Sequence, residues 1–364
     1  MSISLFSGCS QRNHVLQTPH FRSHFSYNQE QETALTSDTE HEMIVFIHGT
    51  VLGIPSLILR DLSFRFKTPY VYQPIDELGL HKISLSNKKN IGALLAAHNY
   101  QRMHQSIYGK KKNLHFYTHG WDGFLSEESR KRAGEKLYLA LVEERNKIQK
   151  LTDKRVEITI QGHSHGGNVI AYLKDFEMQY QKKLRIDRVG LWGTPIQEET
   201  AHHWAHDMFT RVYHCYSQKD RVMTLDILST KRHRSYRRFD KICTIPDKLS
   251  QVELRVNNMH PTHAELWFLG CINRFLYRRD FGLYPFPCIH LAPAIFHAVD
   301  VLEKENKNLI ININNQQNAY LLEVTPHQTM DQTITDSFEY NFQYDLMHAE
   351  PLQVFGPHFI SLAL

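Results

Sequence analysis

The sequence predicts an α/β fold built on a doubly wound, mainly parallel sheet. Two observations support this prediction: apolar runs of strand length alternate with segments of helical periodicity, and several runs end in turns rich in glycine and histidine. The chain has 364 residues, of which 41% are hydrophobic and 22% are charged. This composition allows a sizeable core and excludes disorder, collagen and a long coiled coil as descriptions of the whole chain.

Six apolar runs are predicted to form the central strands. Each run is short and nearly continuous, which is typical of a strand buried on both faces. The first three runs end in His48-Gly49-Thr50, in His119-Gly120 and in Gly162. Ligands of parallel sheets bind beyond the carboxyl ends of the strands, where these turns would lie. The six runs span residues 43–47, 114–117, 156–160, 188–192, 211–216 and 252–256.

Helices are predicted between these strands. One helix covers residues 91–108 and ends at Gly109, and another begins after Ser126, which is a suitable N-cap. Glu127 and Glu128 then occupy the first turn, where negative charge favours the helix dipole. Two further helices follow from apolar spacing at 169–182 and 266–276.

The remaining segments divide the chain into regions. Residues 1–40 are polar and aperiodic, and are predicted to be a flexible arm before the main domain at 41–306. Residues 51–113 exceed the length of a simple crossover and are partly apolar. They form either a cap or lid over an acyl pocket, or an ordinary extra helix and loop. Residues 307–364 are predicted to form a small β-rich extension with a turn at 314–317.

Charge and composition narrow the function classes. Lys+Arg 42 against Asp+Glu 38 gives a net charge of +4, which is too small to imply nucleic acid binding. The basic run at 231–238 is either a rim that attracts an anionic membrane surface or a solvated loop. The five cysteines are scattered without a CxxC pair, which argues against a disulfide scaffold and a thiolate zinc site. No metal or organic cofactor is expected.

Membrane and export signals are also predicted to be absent. No run of about 18 apolar residues exists, so no transmembrane helix is expected. The apolar stretch at 3–6 is short and no basic residue precedes it, which argues against a secretory signal. The expected location is cytoplasmic, or exported without a recognisable signal peptide.

One motif carries specific chemistry. Gly162-His163-Ser164-His165-Gly166 has the pattern G-x-S-x-G, with a predicted strand before it and a predicted helix after it. The sharp turn requires small flanking residues and lifts the serine above the sheet edge. The backbone N–H of His165 would face a developing oxyanion at the helix N-terminus. The motif predicts that Ser164 is a nucleophile, and the alternative is a glycine-rich turn that packs or binds phosphate.

The elbow Gly162–Asn168 resembles that of the α/β-hydrolase superfamily, in its lipase and esterase-like branch. The resemblance covers roughly residues 42–306 and implies the α/β-hydrolase type of sheet. It also implies a catalytic triad in the chain order serine, acid, histidine, and an oxyanion hole completed after the first strand. The turn Thr194-Pro195 is similar to the one that follows this strand in lipases.

The chain order assigns the other two triad members. Asp220 follows the strand at 211–216 and is the expected acid, with Asp226 as the fallback. His263 directly precedes a predicted helix and is the expected base, and His260 is the alternative. The aspartate would hold the histidine in one tautomer and stabilise its charged form.

The oxyanion hole is expected to combine two backbone N–H groups. One belongs to His165, and the other to Thr50 after the first strand, the usual place in the family. The turn that contains His119 and Trp121 competes with Thr50, because it ends the neighbouring strand. His48 either orients its loop or contacts the substrate.

The residues together predict a serine hydrolase that cleaves carboxylic esters, with a lipid-like substrate, through an acyl-enzyme. Thioesterase, amidase and acyltransferase chemistry use the same constellation and stay open. A different alternative is a non-catalytic binding or interaction module that retains the fold. The sequence leaves the oligomeric state open.

Overall fold

A computed structural model describes most of the chain between residues 40 and 341, and every structural statement below refers to those residues. The predicted arm and Asp226 lie outside them, as do the apolar segment at 51–77 and most of the helix predicted at 266–276. The described residues all belong to one compact unit. The described ranges are 40–50, 78–85, 92–109, 112–220, 235–263, 266–267, 288–302, 308–316, 319–326 and 336–341.

The core of the molecule is a ten-stranded sheet with the order β10-β9-β8-β7-β6-β5-β4-β1-β3-β2. The strands β1 and β3 to β8 are mutually parallel, whereas β2, β9 and β10 each run antiparallel to a neighbour. The strands are β1 (Glu40–Ile47), β2 (Gly79–Lys82), β3 (Lys112–Gly120), β4 (Val156–His163), β5 (Arg188–Trp192), β6 (Val212–Tyr216), β7 (Leu249–Val256), β8 (Asn308–Gln316), β9 (Ala319–Pro326) and β10 (Asp336–Asn341). The predicted α/β class with a mostly parallel sheet is confirmed.

Six α-helices lie in the described chain: α1 (Gly92–Tyr108), α2 (Glu127–Thr152), α3 (His165–Ala171), α4 (Leu173–Tyr180), α5 (Glu198–Ala201) and α6 (Ala292–Leu302). Ser126 caps α2 as expected, because its Oγ accepts a hydrogen bond from the Ser129 N–H at 3.2 Å. The helix predicted at 169–182 begins earlier, at His165, and is divided at Tyr172. There the Asp175 N–H bonds the Tyr172 carbonyl at 3.0 Å, a tighter turn than that of an α-helix.

Both faces of the sheet are covered. Along β1, Ile44 and Phe46 belong to a core shared with α1 and α6, while Val45 and Ile47 belong to a core shared with α2, α3 and α4. Successive strand residues point to opposite faces, so a strand between two helical layers must be apolar throughout. This explains the continuous apolar run at 43–47.

The sheet reverses its direction of growth between β1 and β4. After β1 the chain forms the edge strand β2 and then β3, which pairs with β1, and it returns across β1 to β4 on the other side. In register, Ile47 at the end of β1 pairs with both His119 of β3 and Gly162 of β4. A crevice at such a switch point is the preferred ligand site of a doubly wound sheet. Two of the predicted site segments therefore leave the sheet side by side.

The last strands continue the same sheet. β8 pairs in parallel with β7, for example Val256 with Ile313, and β9 and β10 follow by antiparallel pairing. The segment predicted as a β-rich extension thus adds its strands to the edge of the central sheet. Within the region 51–113, β2 forms the opposite edge and α1 packs on one face. Among the described residues, no helix is long and apolar enough to cross a membrane.

Candidate active site

Ser164 occupies a strained turn between β4 and α3. Its backbone has φ 50° and ψ −131°, a conformation that residues other than glycine rarely adopt. The turn is held by the Ser164 N–H, which donates to the Trp192 carbonyl of β5 at 2.9 Å. The Ser164 side chain does not cap α3, so its hydroxyl is not used to satisfy the helix N-terminus. The geometry fits the sharp strand-to-helix turn expected from the motif.

The glycines that flank Ser164 allow close backbone packing. A Cβ atom at Gly166 would lie 2.5 Å from the His48 carbonyl oxygen, and one at Gly162 would lie 2.6 Å from Ile170 Cδ1. Real Cβ atoms do not approach other atoms so closely, because interiors are already packed to crystal density. The first turn of α3 can therefore lie directly against the end of β1 only if residue 166 is glycine.

Asp220 and His263 are brought into contact beside this turn. Asp220 follows β6, and its Oδ2 accepts a hydrogen bond from His263 Nδ1 at 2.8 Å. The Asp220 side chain is 1% exposed and the His263 side chain 18% exposed. The bond at Nδ1 leaves Nε2 as the basic nitrogen of the neutral ring. Of the two predicted histidines, His263 is the one that contacts the acid.

The loops that carry this pair are joined to each other. Ser217 Oγ donates to the Pro261 carbonyl at 2.5 Å, which ties the loop after β6 to the loop after β7. Arg237 donates to the Asp220 carbonyl at 2.7 Å and to Gln218 Oε1 at 3.1 Å. The acid loop is therefore fixed from two sides.

Gly193, at the edge of the sheet, lies close to the Asp220–His263 pair. It follows β5 with φ +58°, and a Cβ atom there would lie 2.9 Å from Asp220 Oδ2 and 3.1 Å from His263 Nδ1. Ser164 is close to the same place, because its N–H binds the carbonyl of the residue before Gly193. No hydrogen bond joins Ser164 Oγ to the His263 ring within the described part of the chain.

The loop after β1 lies against the serine. A Cβ atom at Gly49 would be 2.5 Å from Ser164 Cβ. Next to it, His48 Nε2 accepts a hydrogen bond from the Trp121 N–H at 3.2 Å, and His48 Nδ1 donates to the Gly49 carbonyl at 2.7 Å. Burial lowers the pKa of His48 to about 4, so the ring is neutral at pH 7. His48 thus orients its loop by its own hydrogen bonds.

The two expected oxyanion donors directly follow the two residues of the Gly49–Ser164 contact. Thr50 follows Gly49 directly, and its buried hydroxyl has no hydrogen-bond partner among the described residues. His165 is the first residue of α3 and is 2% exposed, and its ring Nδ1 lies 3.2 Å from Asn168 Nδ2. Backbone N–H groups in the first turn of a helix carry partial positive charge.

The competing candidates are placed elsewhere. His260 Nδ1 lies 3.8 Å from Glu253 Oε1, and burial lowers the pKa of this histidine. His119 is paired in register with Leu80 of the edge strand, and burial lowers its pKa to about 3. In the turn that follows β3, Trp121 bonds to the loop after β1: its indole N–H donates to the His48 carbonyl at 2.8 Å.

The structure describes residues 235–238 of the basic run at 231–238. Arg238 Nε donates to Asp240 Oδ1 at 2.9 Å, and Arg237 makes the contacts with the acid loop given above. These two cations thus have intramolecular partners, while residues 231–234 lie outside the described chain.

Sequence reasoning missed one residue of the site. His163 precedes the serine, and its Nε2–H donates to the His263 carbonyl at 3.1 Å. The rings of the two histidines are 4.6 Å apart, and Trp267 stacks on His163 at 5.3 Å. The motif G-x-S-x-G leaves position 163 unspecified, so only the histidine itself could have served as a signal.

Comparison with known proteins adds no family or relative: no family model and no curated protein matches the sequence. Within the described ranges, no three or more His, Cys, Asp or Glu side chains form a group that could hold a metal ion.

Proposed function

We propose that this protein is a serine hydrolase of the α/β-hydrolase type, and that it cleaves carboxylic esters, with a lipid-like substrate. The observation that carries the proposal is the 2.8 Å hydrogen bond between Asp220 and His263, beside a serine with φ 50° in a strand-to-helix turn. The three residues follow in the chain order of that fold, and the strand that carries Ser164 borders the topological switch point. A phosphate-binding turn would not require a buried carboxylate paired with a histidine.

The mechanism assigns one role to each side chain. His263 Nε2 takes the proton of Ser164 Oγ as that oxygen attacks the ester carbonyl, and Asp220 stabilises the resulting imidazolium. The tetrahedral intermediate collapses, His263 returns the proton to the leaving alcohol, and an acyl-enzyme remains. Water then attacks the acyl group by the same steps and releases the acid. The reaction requires Ser164 Oγ and His263 Nε2 to approach within hydrogen-bond distance, a contact that often tightens only when substrate binds.

Fixed groups of the protein would stabilise the charges that develop in this reaction. The backbone N–H groups of His165 and Thr50 would stabilise the oxyanion, and α3 presents its positive end at the same point. The buried position of Asp220 strengthens its attraction for the imidazolium, because little water screens the pair. Both effects favour the transition state over the ground state.

The proposal is tested by ester turnover in a matched set of serine variants. Wild type, Ser164→Ala and Ser250→Ala would be assayed with p-nitrophenyl esters of increasing acyl length. Ser250 is a suitable control, because its buried hydroxyl has no hydrogen-bond partner in the described chain and lies near the amino end of β7, away from the site edge. We expect Ser164→Ala to lose at least about 1,000-fold in kcat, and Ser250→Ala to keep it.

Undiminished hydrolysis by folded Ser164→Ala would contradict the proposal. Turnover that is limited to short esters would contradict the lipid-like substrate but not the serine mechanism. Competition between water and added alcohols or thiols for the acyl group would separate hydrolysis from acyl transfer, which uses the same residues.

A further inference from the structure

The loop that carries His263 is held by contacts from several other elements. It leaves β7 through a turn in which Val256 and Met259 exchange backbone hydrogen bonds, and His263 itself lies outside any strand. Asn257 and Asn258, near its start, bond to β8, and closer to His263 the side chains of Ser217 and His163 bond the Pro261 and His263 carbonyls. A catalytic ring on such a loop depends on these contacts for its position.

His163 makes two kinds of contact with His263. Its Nε2–H donates to the backbone carbonyl at 3.1 Å, and its ring faces the His263 ring with centroids 4.6 Å apart and planes inclined by 37°. Trp267 also stacks on the His163 ring, with centroids 5.3 Å apart and nearly parallel planes. Trp267 in turn packs edge-on against Phe46 of β1, which anchors the stack in the core. The hydrogen bond fixes the backbone of His263, while the stack restricts rotation of its ring.

We propose that His163 is a positioning residue for His263: it holds the ring with Nε2 directed to the serine, through the carbonyl hydrogen bond and the stack on Trp267. This inference rests on the proposed function only in treating His263 as the base. Asp220 binds one edge of the ring, and a single hydrogen bond leaves rotation about that bond open. His163 supplies the second constraint, and it is attached to the nucleophile itself as the preceding residue.

The charge state of His163 suits this role. Burial and the nearby His263 hold the pKa of His163 well below its usual value, so the ring is neutral at pH 7 and carries the one proton that it donates. The nearby His48 and His165 lower this pKa further. A neutral His163 does not repel the His263 imidazolium that forms during the reaction.

The test replaces His163 in two ways that separate the contacts. His163→Gln retains a side-chain N–H within reach of the carbonyl, whereas His163→Phe retains an aromatic ring and loses the donor. His203 provides a matched control: it is buried, its Nδ1–H donates to the Ala171 carbonyl at 3.0 Å, and its ring contacts Tyr172. The variants His203→Gln and His203→Phe therefore make the same two changes to a buried histidine that donates to a carbonyl, at a place remote from His263.

Kinetics of p-nitrophenyl butyrate hydrolysis give the first readout. We expect His163→Phe to lower kcat about 10- to 100-fold with KM changed less than about twofold, because a small misplacement of a catalytic group costs this much. His163→Gln is expected to recover most of the loss, and both His203 variants to keep the wild-type kcat. Wild-type kcat in His163→Phe, or an equal loss in His203→Phe, would overturn the positioning role.

A second readout needs neither turnover nor substitution. In nitrogen-15 NMR of the wild-type chain, the His163 Nε2–H resonance should remain visible and protected from exchange as the pH falls from 8 to 5. A ring that titrates in this range, or an N–H that exchanges freely, would overturn the proposal even if every variant failed to fold. If the wild type hydrolyses no ester while this resonance behaves as expected, the proposed function fails and the contact between the two histidines stands.

Discussion

Acidification is predicted to unfold this protein well above the pH at which carboxylates titrate. Besides His163, four fully buried histidines have strongly lowered pKa values: about 4 for His48 and His214, and about 3 for His119 and His290. In each case burial is the main cause, because it penalises the charged ring. In the unfolded chain the same residues take up protons near pH 6.5. Below that pH the unfolded state therefore binds more protons than the folded state, and stability falls as the pH falls.

The magnitude follows from proton linkage. Between pH 7.5 and pH 5.5, each such histidine removes about 1.4 kcal/mol from the free energy of unfolding, so four remove about 5 kcal/mol. A domain is typically stable by only about 5–15 kcal/mol, so this loss is a large part of the total. The loss levels off only near pH 4 to 3, where the folded rings also titrate. The buried Glu42 has the opposite effect on stability. Burial raises its pKa, so the folded state binds this proton more readily than the unfolded state and gains stability as the pH falls.

Urea unfolding followed by circular dichroism at pH 7.5, 6.5 and 5.5 would measure this loss. His290→Leu should reduce the loss between pH 7.5 and 5.5 by about 1.4 kcal/mol, whatever its effect at pH 7.5. Leu291→Ala is the matched control, because Leu291 is buried beside His290 but carries no titratable group, so the variant should lower stability without changing its pH dependence. A free energy of unfolding that changes by less than about 1 kcal/mol over this range would refute the reasoning.

Three further predictions concern the site. Asp220→Asn should lower kcat by about 1,000- to 10,000-fold with little change in the melting temperature, because the amide favours the wrong tautomer of the histidine; activity within tenfold of wild type would contradict the pairing seen at 2.8 Å. His263→Gln should abolish ester turnover and His260→Gln should not, so steady-state kinetics that showed the reverse would reassign the base. Gly166→Ala should lower the free energy of unfolding in urea by at least about 1–3 kcal/mol, since its Cβ would lie 2.5 Å from the His48 carbonyl oxygen. An unchanged free energy of unfolding would show that the backbone of this turn can shift to accept a side chain.

The sequence alone was sufficient to locate the central strands and the cap of α2. All six predicted strands form, and the strand at Arg188–Trp192 has the predicted bounds. This worked because a strand covered on both faces must be apolar at every position, and a cap such as Ser126 is a local signal. The pairing of Asp220 with His263 could also be anticipated, since chain order along a parallel sheet fixes which loops meet at one edge.

Other features depend on contacts between distant residues. His163 and His263 are 100 positions apart, and no local pattern shows that their rings stack. The addition of β8 to the edge of the central sheet likewise depends on pairing with β7, whereas an isolated hairpin would have the same local pattern. The division of the helix at Tyr172 results from one tighter backbone hydrogen bond, and helix propensity does not predict such a bond.

The most direct test of the central claim is labelling by a fluorophosphonate, which reacts with an activated serine and needs no knowledge of the substrate. The full chain, Ser164→Ala and Ser250→Ala would be treated side by side, and the modified peptide located by mass spectrometry. We predict one adduct per chain, on Ser164, in wild type and in Ser250→Ala, and none in Ser164→Ala. A folded wild-type protein that stays unlabelled, or an adduct on a different serine, would contradict the assignment of Ser164 as the nucleophile.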